Sequence, residues 1–535
     1  MPKSIGIMVI AAYALHSLAA QDLSGDRIRA HVKFLSSDLL EGRGPGTRGD
    51  QLATEYIATQ FALAGLKPAG NRGTYFQQVP LIGIETQPSA RLSAKNTDFK
   101  WADEFVGVNE RLTAEDQFDA EAIFVGHGIV APEFQWDDFK GVDVRGKMLV
   151  LFTNEPASTD PKFFGGRALT YYGRWSYKYE EATRKGAIGV IIIHTTPTAG
   201  YGWEVVRNSW SREQPYVKLA PGEHALSLAG WVTKDAGEKL LELAGHHVDE
   251  LLKAAESRDF RPIPLGFHVR GSLPSKVRDI RTRNVAGMVE GGDPTLKAEV
   301  VIYSAHWDHL GIGTPVNGDA IYNGAVDNGT GCGILLELAH AWAAQAKKPR
   351  RSALFLAVTA EEGGLRGSEY YAGHPEIPAA KTALAINYDA LRPLGRARDV
   401  VVNGAERTTA WPVVESVAKR MELKIDPDPR PEQGSYYRSD HFAFAHVGIP
   451  SFSVEQGDDF VGKPKGFGAK AFDEYNEKHY HQPSDEFQES WDFSGLTNMA
   501  RFGFLIGMDV ANQDHLPTWR PGDEFLAARE NSGVR

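Results

Sequence analysis

The stretch Tyr303-Ser-Ala-His306-Trp-Asp308-His-Leu-Gly311, followed by Gly324-Ala-Val-Asp327-Asn-Gly-Thr-Gly331, decides how the rest of the chain is interpreted. It begins at the end of an apolar, β-branched run, which is the pattern of a buried strand. A histidine and two aspartates come close together after that run, and imidazole and carboxylate groups are the ligands that borderline and hard metal ions prefer. We therefore expect a metal site at the end of a strand.

The sequence around this stretch predicts an α/β fold. From residue 275 onward, short apolar segments alternate with longer helical patterns. This alternation is typical of a doubly wound, mostly parallel sheet. The predicted strands are residues 284–288, 299–304, 354–359, 384–388 and 451–454, and the predicted helices are residues 331–345, 365–372, 411–421 and 496–512.

Acidic and imidazole side chains follow successive predicted strands. His306 and Asp308 follow the predicted strand 299–304, and Glu361 and Glu362 follow the predicted strand 354–359. Asp389 closes the predicted strand 384–388. Ligands of open α/β sheets bind beyond the carboxyl ends of the strands, so these groups are expected on one rim. Any one of them alone is weak evidence, because a lone histidine or glutamate pair usually lies on a solvated face.

Two further groups are expected to reach the same rim from other segments. Asp327 precedes a glycine-rich turn into a helix, and His481 lies in a late loop, residues 480–485. Two imidazoles and three carboxylates suit zinc, and one shared carboxylate would make a site for two ions. Such a site also needs a carboxylate that takes the proton of the attacking water, and the adjacent glutamates could divide these tasks.

The motifs resemble those of the co-catalytic di-zinc exopeptidases, which include bacterial leucyl aminopeptidases and glutamate carboxypeptidase. The resemblance covers residues 284–487. It rests on His306-x-Asp308, Gly324-Ala-Val-Asp327-Asn-Gly-Thr-Gly, Glu361-Glu362, Asp389, Arg438-Ser-Asp-His-Phe442 and Tyr480-His481.

The resemblance implies a ligand set for two Zn²⁺ per chain. Asp327 would bridge both ions, and the remaining ligands would divide into Glu362 with His481 and His306 with Asp389.

The resemblance also implies catalytic roles. Glu361 would be the general base, and Asp308 would accept the free N–H of His306. Tyr480 would stabilise the oxyanion, although a packing role for its ring is nearly as well supported.

The function expected from these residues is a peptide-cleaving aminopeptidase that uses acidic groups to hold the substrate ammonium. The alternatives are a carboxypeptidase, with Arg392, Arg396 and Arg438 as candidates for binding a terminal carboxylate, and an inactive binding module on the same fold. A serine hydrolase and a dinucleotide site are disfavoured, since the chain lacks Gly-x-Ser-x-Gly and the spacing Gly-x-Gly-x-x-Gly. His309 and His479 receive low weight as ligands, and Ser439 with Asp440 is expected to cap a helix.

The N-terminal segment predicts export. Residues 1–20 combine one early lysine, a short apolar run and small residues near a cut site, which is the pattern of a secretory signal peptide. The mature protein is therefore expected in the periplasm or outside the cell, without a membrane span. A formal net charge of -11 argues against nucleic-acid binding, which needs basic residues.

The remaining chain is divided by its pattern of strands. Residues 21–100 are expected to start the catalytic domain, residues 101–270 to form a β-rich insert, residues 271–515 to complete the catalytic domain, and residues 516–535 to form a tail. The insert resembles the protease-associated domain through Gly126-His-Gly-Ile-Val-Ala-Pro132 and Gly141-Val-Asp-Val-Arg-Gly-Lys147.

Overall fold

The computed structural model describes residues 23–199 and 202–534, so the predicted signal peptide lies outside the described residues. Within the described ranges, every helix is too short or too polar to cross a membrane. The α-helices are α1 Gly25–Leu35, α2 Arg48–Leu63, α3 Trp175–Arg184, α4 Thr196–Ala199, α5 Trp203–Trp210, α6 Lys234–Glu242, α7 Val248–Ala255, α8 Gly331–Ala343, α9 Arg366–Gly373, α10 Trp411–Arg420, α11 His441–His446, α12 Phe467–Lys478, α13 Ser494–Ala511 and α14 Leu526–Asn531.

The β-strands fall mainly into two large sheets. In chain order they are β1 Lys67–Pro68, β2 Phe76–Thr86, β3 Arg91–Ala94, β4 Thr97–Phe99, β5 Phe105–Val108, β6 Gln117–Phe124, β7 Val130–Ala131, β8 Trp136–Asp137, β9 Met148–Phe152, β10 Gly189–Ile193, β11 Gln214–Val217, β12 Leu228–Val232, β13 Ile263–Ser272, β14 Ser275–Val289, β15 Val300–His306, β16 Gly311–Val316, β17 Asp319–Tyr322, β18 Ser352–Val358, β19 Thr382–Asn387, β20 Asp399–Val401, β21 Lys424–Asp426, β22 Ser451–Ser453 and β23 Glu455–Gln456.

The first sheet is mixed, which corrects the expectation of a mostly parallel sheet. Its order is β11-β2-β14-β18-β15-β19-β22, with β1 paired to β14. Strands β18, β15, β19 and β22 run parallel, whereas β14 is antiparallel to both β18 and β2, and β2 is antiparallel to β11. The sequence predicts only residues 284–288 of β14, its apolar end. The first half of the strand escapes prediction because its residues are charged and exposed and pair with β2 instead of packing in a core.

Helices cover both faces of this sheet, because the buried strands are apolar on both sides. Along β15, Val301, Tyr303 and Ala305 belong to the cluster that contains α1, α2, α8 and α13. Val300 and Ile302 belong to the cluster on the opposite face, with side chains from α9 and α11. This packing fixes the strand ends that carry the polar groups.

The second sheet is built from residues 91–272, close to the predicted insert at 101–270. Its order is β4-β3-β13-β6-β9-β10-β12-β5. Strands β6, β9, β10 and β12 are parallel and are accompanied by helices, so the insert is less purely β than its sequence indicates. One of its segments leaves this sheet: β11 pairs with β2 and forms the edge of the first sheet.

The segment expected to be a tail is packed against the domain in its described part. Trp519 is 1% exposed, and its indole N–H donates to the carbonyl of Gly448 at 2.9 Å. Arg529 is also buried and donates to the carbonyls of Ala379 and Pro517. These hydrogen bonds explain why residues 516–534 pack against the domain although the segment contains charged residues.

Candidate metal centre

Strand register brings the predicted polar groups to one edge of the first sheet. In β15, His306 pairs with Val358 of β18, and Ser304 pairs with Asn387 of β19. Because the three strands are parallel and in step, the segments after them emerge side by side. The predicted convergence of these segments at the strand ends is therefore present in the fold.

His306 lies at the centre of three carboxylates. Its side chain is 1% exposed, and its Nε2 atom is 3.2 Å from Asp389 Oδ1, 3.3 Å from Asp327 Oδ1 and 3.9 Å from Glu361 Oε2. Nearby acids in such a buried place need neutralising partners. A cation can bind between the imidazole nitrogen and these carboxylate oxygens at the distances observed.

The second imidazole faces the other side of Asp327. The Nε2 atom of His481 lies 3.4 Å from Asp327 Oδ2 and 2.9 Å from Glu362 Oε2. The two oxygens of Asp327 thus point to different histidines. His481 Nε2 is buried without a well-formed hydrogen bond among the described residues, although it is close to both carboxylates.

Several triads can offer converging ligand atoms to a metal ion. The ligand atoms of His306, Asp327 and Asp389 lie within 4.8 Å of one another, and so do those of His309, Asp327 and Glu362. The same holds for His306, Glu361 and Glu362. Asp327 is common to the first two triads, so it lies where one carboxylate could serve two ions.

His309 contacts the site, although its position beside stronger candidates gave it little weight in the sequence. It is 1% exposed, and its Nδ1 is 2.6 Å from Glu362 Oε1. Its Nε2 has no hydrogen-bond partner in the described ranges. His479, the other histidine of low weight, instead places its Nδ1 3.0 Å from the hydroxyl of Ser484.

Asp308 contacts the site differently from the expectation. The Nδ1 atom of His306 is 3.2 Å from the backbone oxygen of Asp308, but 3.8 Å from its carboxylate. The backbone oxygen can therefore fix the imidazole tautomer. The carboxylate accepts the backbone N–H of Glu361 at 3.1 Å, and burial raises the pKa of Asp308 to about 8. The side chain of Asp308 thus holds the segment that contains Glu361 and Glu362, here called the glutamate loop, rather than the imidazole of His306.

Ser439 supports Asp389 instead of capping a helix as expected. Its hydroxyl donates to Asp389 Oδ2 at 2.6 Å and accepts from the side chain of Asn387 at 2.8 Å. Asp440 makes no capping bond to α11, and its carboxylate accepts the hydroxyl of Ser368. The helix-cap expectation is wrong because both side chains point to neighbouring segments.

Tyr480 lies beside His481 with its ring stacked on the imidazole. The ring centroids are 3.8 Å apart with an interplanar angle of 23°. The tyrosine is 37% exposed. This position fits a packing partner of His481, and it leaves the ring accessible from solvent.

The electrostatics of the cluster match a site built for cations. Burial lowers the pKa of His481, but Glu362 and Asp327 outweigh burial and raise it to about 10. Burial raises the pKa of Glu361 well above its ordinary value, opposed by His306 and reinforced by Asp389. Protons thus neutralise the excess of carboxylate charge in the absence of metal, and bound cations would replace them.

Arg43 supports the segments that carry the candidate ligands His306 and Asp327. Its side chain is 1% exposed and donates to four backbone carbonyls. Two of these belong to Trp307, at 2.7 Å, and Gly324, at 2.8 Å. The others belong to Leu35 and Asn323. A planar guanidinium can span several acceptors in this way, so Arg43 ties the His306 loop to the Asp327 loop.

Asp485 supports Asp327 from the opposite side. Its carboxylate accepts the backbone N–H groups of Val326 at 3.0 Å and Asp327 at 3.1 Å. It also accepts the hydroxyl of Tyr475 at 3.1 Å. Because His481 lies in the same loop as Asp485, these bonds couple the two ligands.

Strand β11 of the expected insert contacts the segment that follows Glu361 and Glu362. A Cβ atom on Gly363, which follows Glu362, would lie 2.0 Å from Pro215 Cγ. Arg366 reinforces this contact by donating to the carbonyl of Pro215 at 3.0 Å. The glutamate loop and β11 therefore pack without room for a side chain at residue 363.

Gly363→Ala is expected to disturb both stability and activity. Overpacking of this kind costs roughly 1–3 kcal/mol, and relief of the clash must move either β11 or the loop that carries Glu362. Chemical denaturation and steady-state kinetics on the same preparation measure both effects. Gly373→Ala is the matched control, because a Cβ there meets no atom within 4 Å. Equal behaviour of the two variants would contradict the tight contact.

The comparison with protein families agrees with this geometry. Residues 284–502 match Peptidase family M28, and this range contains every group described above from His306 to Asp485. The chain carries an M28 peptidase domain. The family expected from the motifs is thereby confirmed.

Two curated relatives match part of the chain with 28% identity. A probable leucine aminopeptidase 2 from Aspergillus oryzae is 28% identical over 242 residues, which cover 44% of this chain and 44% of that protein. Leupeptin-inactivating enzyme 1 from Streptomyces exfoliatus is 28% identical over 202 residues, which cover 36% of this chain and 41% of that protein. The chain thus spans less than half the length of these relatives.

A solved structure shares the fold beyond the M28 domain. The aminopeptidase from Aneurinibacillus sp. strain AM-1 superposes with a TM-score of 0.52 at 18% identity. The alignment covers 91% of this chain and 94% of that chain. It shows that the overall architecture occurs in a known protein.

Proposed function

We propose that this protein is a zinc-dependent aminopeptidase that removes N-terminal residues from peptides. The observation that carries the proposal is the position of Asp327, whose two oxygens face His306 and His481. A carboxylate shared in this way is the central element of a two-ion hydrolytic site.

The residues present fit a pair of zinc ions. Asp327 would contact both, with His306 and Asp389 on one ion and Glu362 and His481 on the other. Imidazole nitrogen with carboxylate oxygen is a donor set that zinc accepts. The His481 nitrogen that lacks a good hydrogen bond supports this assignment, because coordination would satisfy it. His309 would then hold Glu362 through its Nδ1.

The residues around the ions would carry out the proton transfers. When bound, two zinc ions polarise a substrate carbonyl and acidify an attacking water. Glu361 takes the proton of that water and returns it to the leaving amine. Asp308 keeps Glu361 in place through the backbone N–H. Tyr480, whose ring stacks on His481, would donate its hydroxyl to the developing oxyanion.

The charge of the site favours an aminopeptidase over a carboxypeptidase. Glu361 and Asp389 place negative charge where a substrate ammonium would bind. Of the arginines that a carboxypeptidase could use, Arg396 and Arg438 are exposed, and Arg392 lies over the ring of Phe472. The names of the relatives from Aspergillus and Streptomyces point to peptides as substrates.

Two further assignments belong to this proposal. Residues 101–270 form an insert of the protease-associated type, whose strand β11 packs against the segment that contains Glu361 and Glu362. The chain is exported, with removal of residues 1–20. N-terminal sequencing of protein recovered from the periplasm or medium tests the second assignment, and a mature terminus near Gln21 is expected.

The test of the function uses metal-quantified protein. We expect about two zinc ions per chain and hydrolysis of aminoacyl substrates with a free amine, but not of their N-acetylated forms. Chelation should abolish turnover and zinc should restore it. Preference for the blocked substrates would favour the carboxypeptidase, and full metal-independent activity would contradict the proposal.

A further inference from the structure

A cavity of about 290 Å³ is lined by residues that follow Asp389 and β22 along the chain, and its wall contains none of the candidate metal ligands. Its wall includes Arg392, three residues after Asp389, and Glu455, which follows β22. Asn387 of β19 pairs with Ser453 of β22, so Asp389 and Glu455 lie at equivalent positions beyond paired residues. The cavity therefore lies beyond the same sheet edge as the candidate metal ligands, and its volume is large enough to admit a side chain.

Arg392 contributes unpaired hydrogen-bond donors to this cavity. Its guanidinium makes no hydrogen bond or ion pair with the residues that the structure describes, and its Nε is buried. The group instead lies over the ring of Phe472, 4.7 Å from the centroid. The Nε–H is thus a buried donor without a partner among the described residues, which is costly. Stacking thus holds Arg392 in place while its donors remain available to a ligand.

Glu455 contributes an acceptor to the same cavity. Its carboxylate accepts the hydroxyl of Ser453 at 3.2 Å and forms no ion pair within the described ranges. Two other acids of the wall are already engaged by the backbone: Asp399 accepts the N–H groups of Asp458 and Asp459, and Asp428 accepts the N–H of Arg430. Arg392 and Glu455 are therefore a donor and an acceptor that face one cavity without pairing with each other.

We propose that this cavity binds the side chain of the substrate's N-terminal residue and selects a carboxamide, that of glutamine or asparagine. The amide oxygen accepts from Arg392, and the amide NH₂ group donates to Glu455. This assignment rests on the proposed aminopeptidase function. It names the substrate class that the M28 domain of this chain would process.

Other side chains match the cavity less well. A carboxylate would meet Arg392 but would be repelled by Glu455, Asp428 and Asp458, which all line the wall. A lysine or arginine would be repelled by Arg392 and Arg430 and attracted by the acids of the wall, so charge alone does not select it. A leucine would leave both polar groups unpaired, and sites built to bond a polar group discriminate strongly against analogues that lack it.

The kinetic test compares glutaminyl, leucyl, glutamyl and lysyl p-nitroanilides on zinc-loaded enzyme. We expect kcat/KM for the glutaminyl substrate to exceed the others by about tenfold or more. Arg392→Met should lower kcat/KM for the glutaminyl substrate by about 10- to 100-fold, the value of a hydrogen bond to a charged group, and leave the leucyl substrate within about twofold. Arg396→Met is the matched control, since Arg396 is exposed and lies outside this cavity.

A wild-type preference for the leucyl, glutamyl or lysyl substrate would overturn the assignment. So would an Arg392→Met variant that loses glutaminyl and leucyl turnover to the same extent. Titration calorimetry with free L-glutamine and L-leucine tests the cavity without turnover. Tighter binding of glutamine that disappears in Arg392→Met supports the assignment even if no substrate is hydrolysed, in which case the proposed function alone fails; equal binding of the two amino acids overturns the assignment.

Discussion

Glu361→Gln should lower kcat by roughly a thousandfold and leave the zinc content unchanged, because the substitution removes a proton acceptor while preserving the shape of the side chain. Glu361 Oε2 is 3.9 Å from His306 Nε2, a longer distance than those of Asp327 and Asp389. The measurement is steady-state kinetics on enzyme whose metal content has been determined by elemental analysis. KM is expected to change little, since the amide retains the volume of the carboxylate.

Glu415→Gln is the matched control for this experiment, because Glu415 is an exposed residue of α10. Near-normal turnover of Glu361→Gln would contradict the assignment of the general base. Loss of zinc would instead place Glu361 among the ligands, as its grouping with His306 and Glu362 allows.

Arg43→Met should lower the free energy of unfolding by roughly 3–5 kcal/mol and weaken zinc binding. An unpaired buried carbonyl costs about 1–3 kcal/mol, and Arg43 satisfies the carbonyls of Trp307 and Gly324 among others. The total loss of unfolding free energy should be smaller than the sum over the four carbonyls, because the surrounding segments relax in part. Because the freed segments carry His306 and Asp327, the change should also appear in competition with a zinc chelator. Chemical denaturation of the metal-free protein gives the stability term separately.

Arg48→Met is the control for Arg43→Met. Arg48 is exposed, and its contacts are the carbonyl of Leu39 and the carboxylate of Glu41. Exposed pairs contribute about 0–1 kcal/mol. A second variant, Arg43→Lys, keeps the charge but cannot span the same acceptors, so it should lie between wild type and Arg43→Met. Unchanged stability and zinc affinity in Arg43→Met would show that the carbonyls do not need the guanidinium.

The polar groups at the strand ends could be found from the sequence because their placement follows from strand periodicity. A buried strand such as β15 is a continuous apolar run, and the residue that ends it must lie at the rim of the sheet. His306 ends β15, Glu361 lies three residues beyond the end of β18, and Asp389 lies two residues beyond the end of β19. Their proximity therefore requires only that the three strands be parallel neighbours, which the α/β alternation predicts.

The supports of the site could not be predicted in this way, since they depend on contacts between distant segments. Arg43 binds carbonyls of Trp307 and Gly324, and no periodicity relates an arginine in a glycine-rich loop to backbone groups so far along the chain. Ser439 was taken for a helix cap because Ser and Asp commonly have that role. The first half of β14 was missed because its charged residues resemble a loop, although pairing with β2 makes it a strand.

The position of β11 has a consequence for any attempt to prepare a smaller enzyme. Truncation of residues 101–270 would strip β2 of its outer neighbour and leave a row of backbone amides and carbonyls without partners. A bare strand of that kind recruits other chains, so the shortened protein should associate with itself even if its metal ligands are intact. Through β11, residues 101–270 thus cover the outer edge of β2, and we expect the two parts of the chain to fold together.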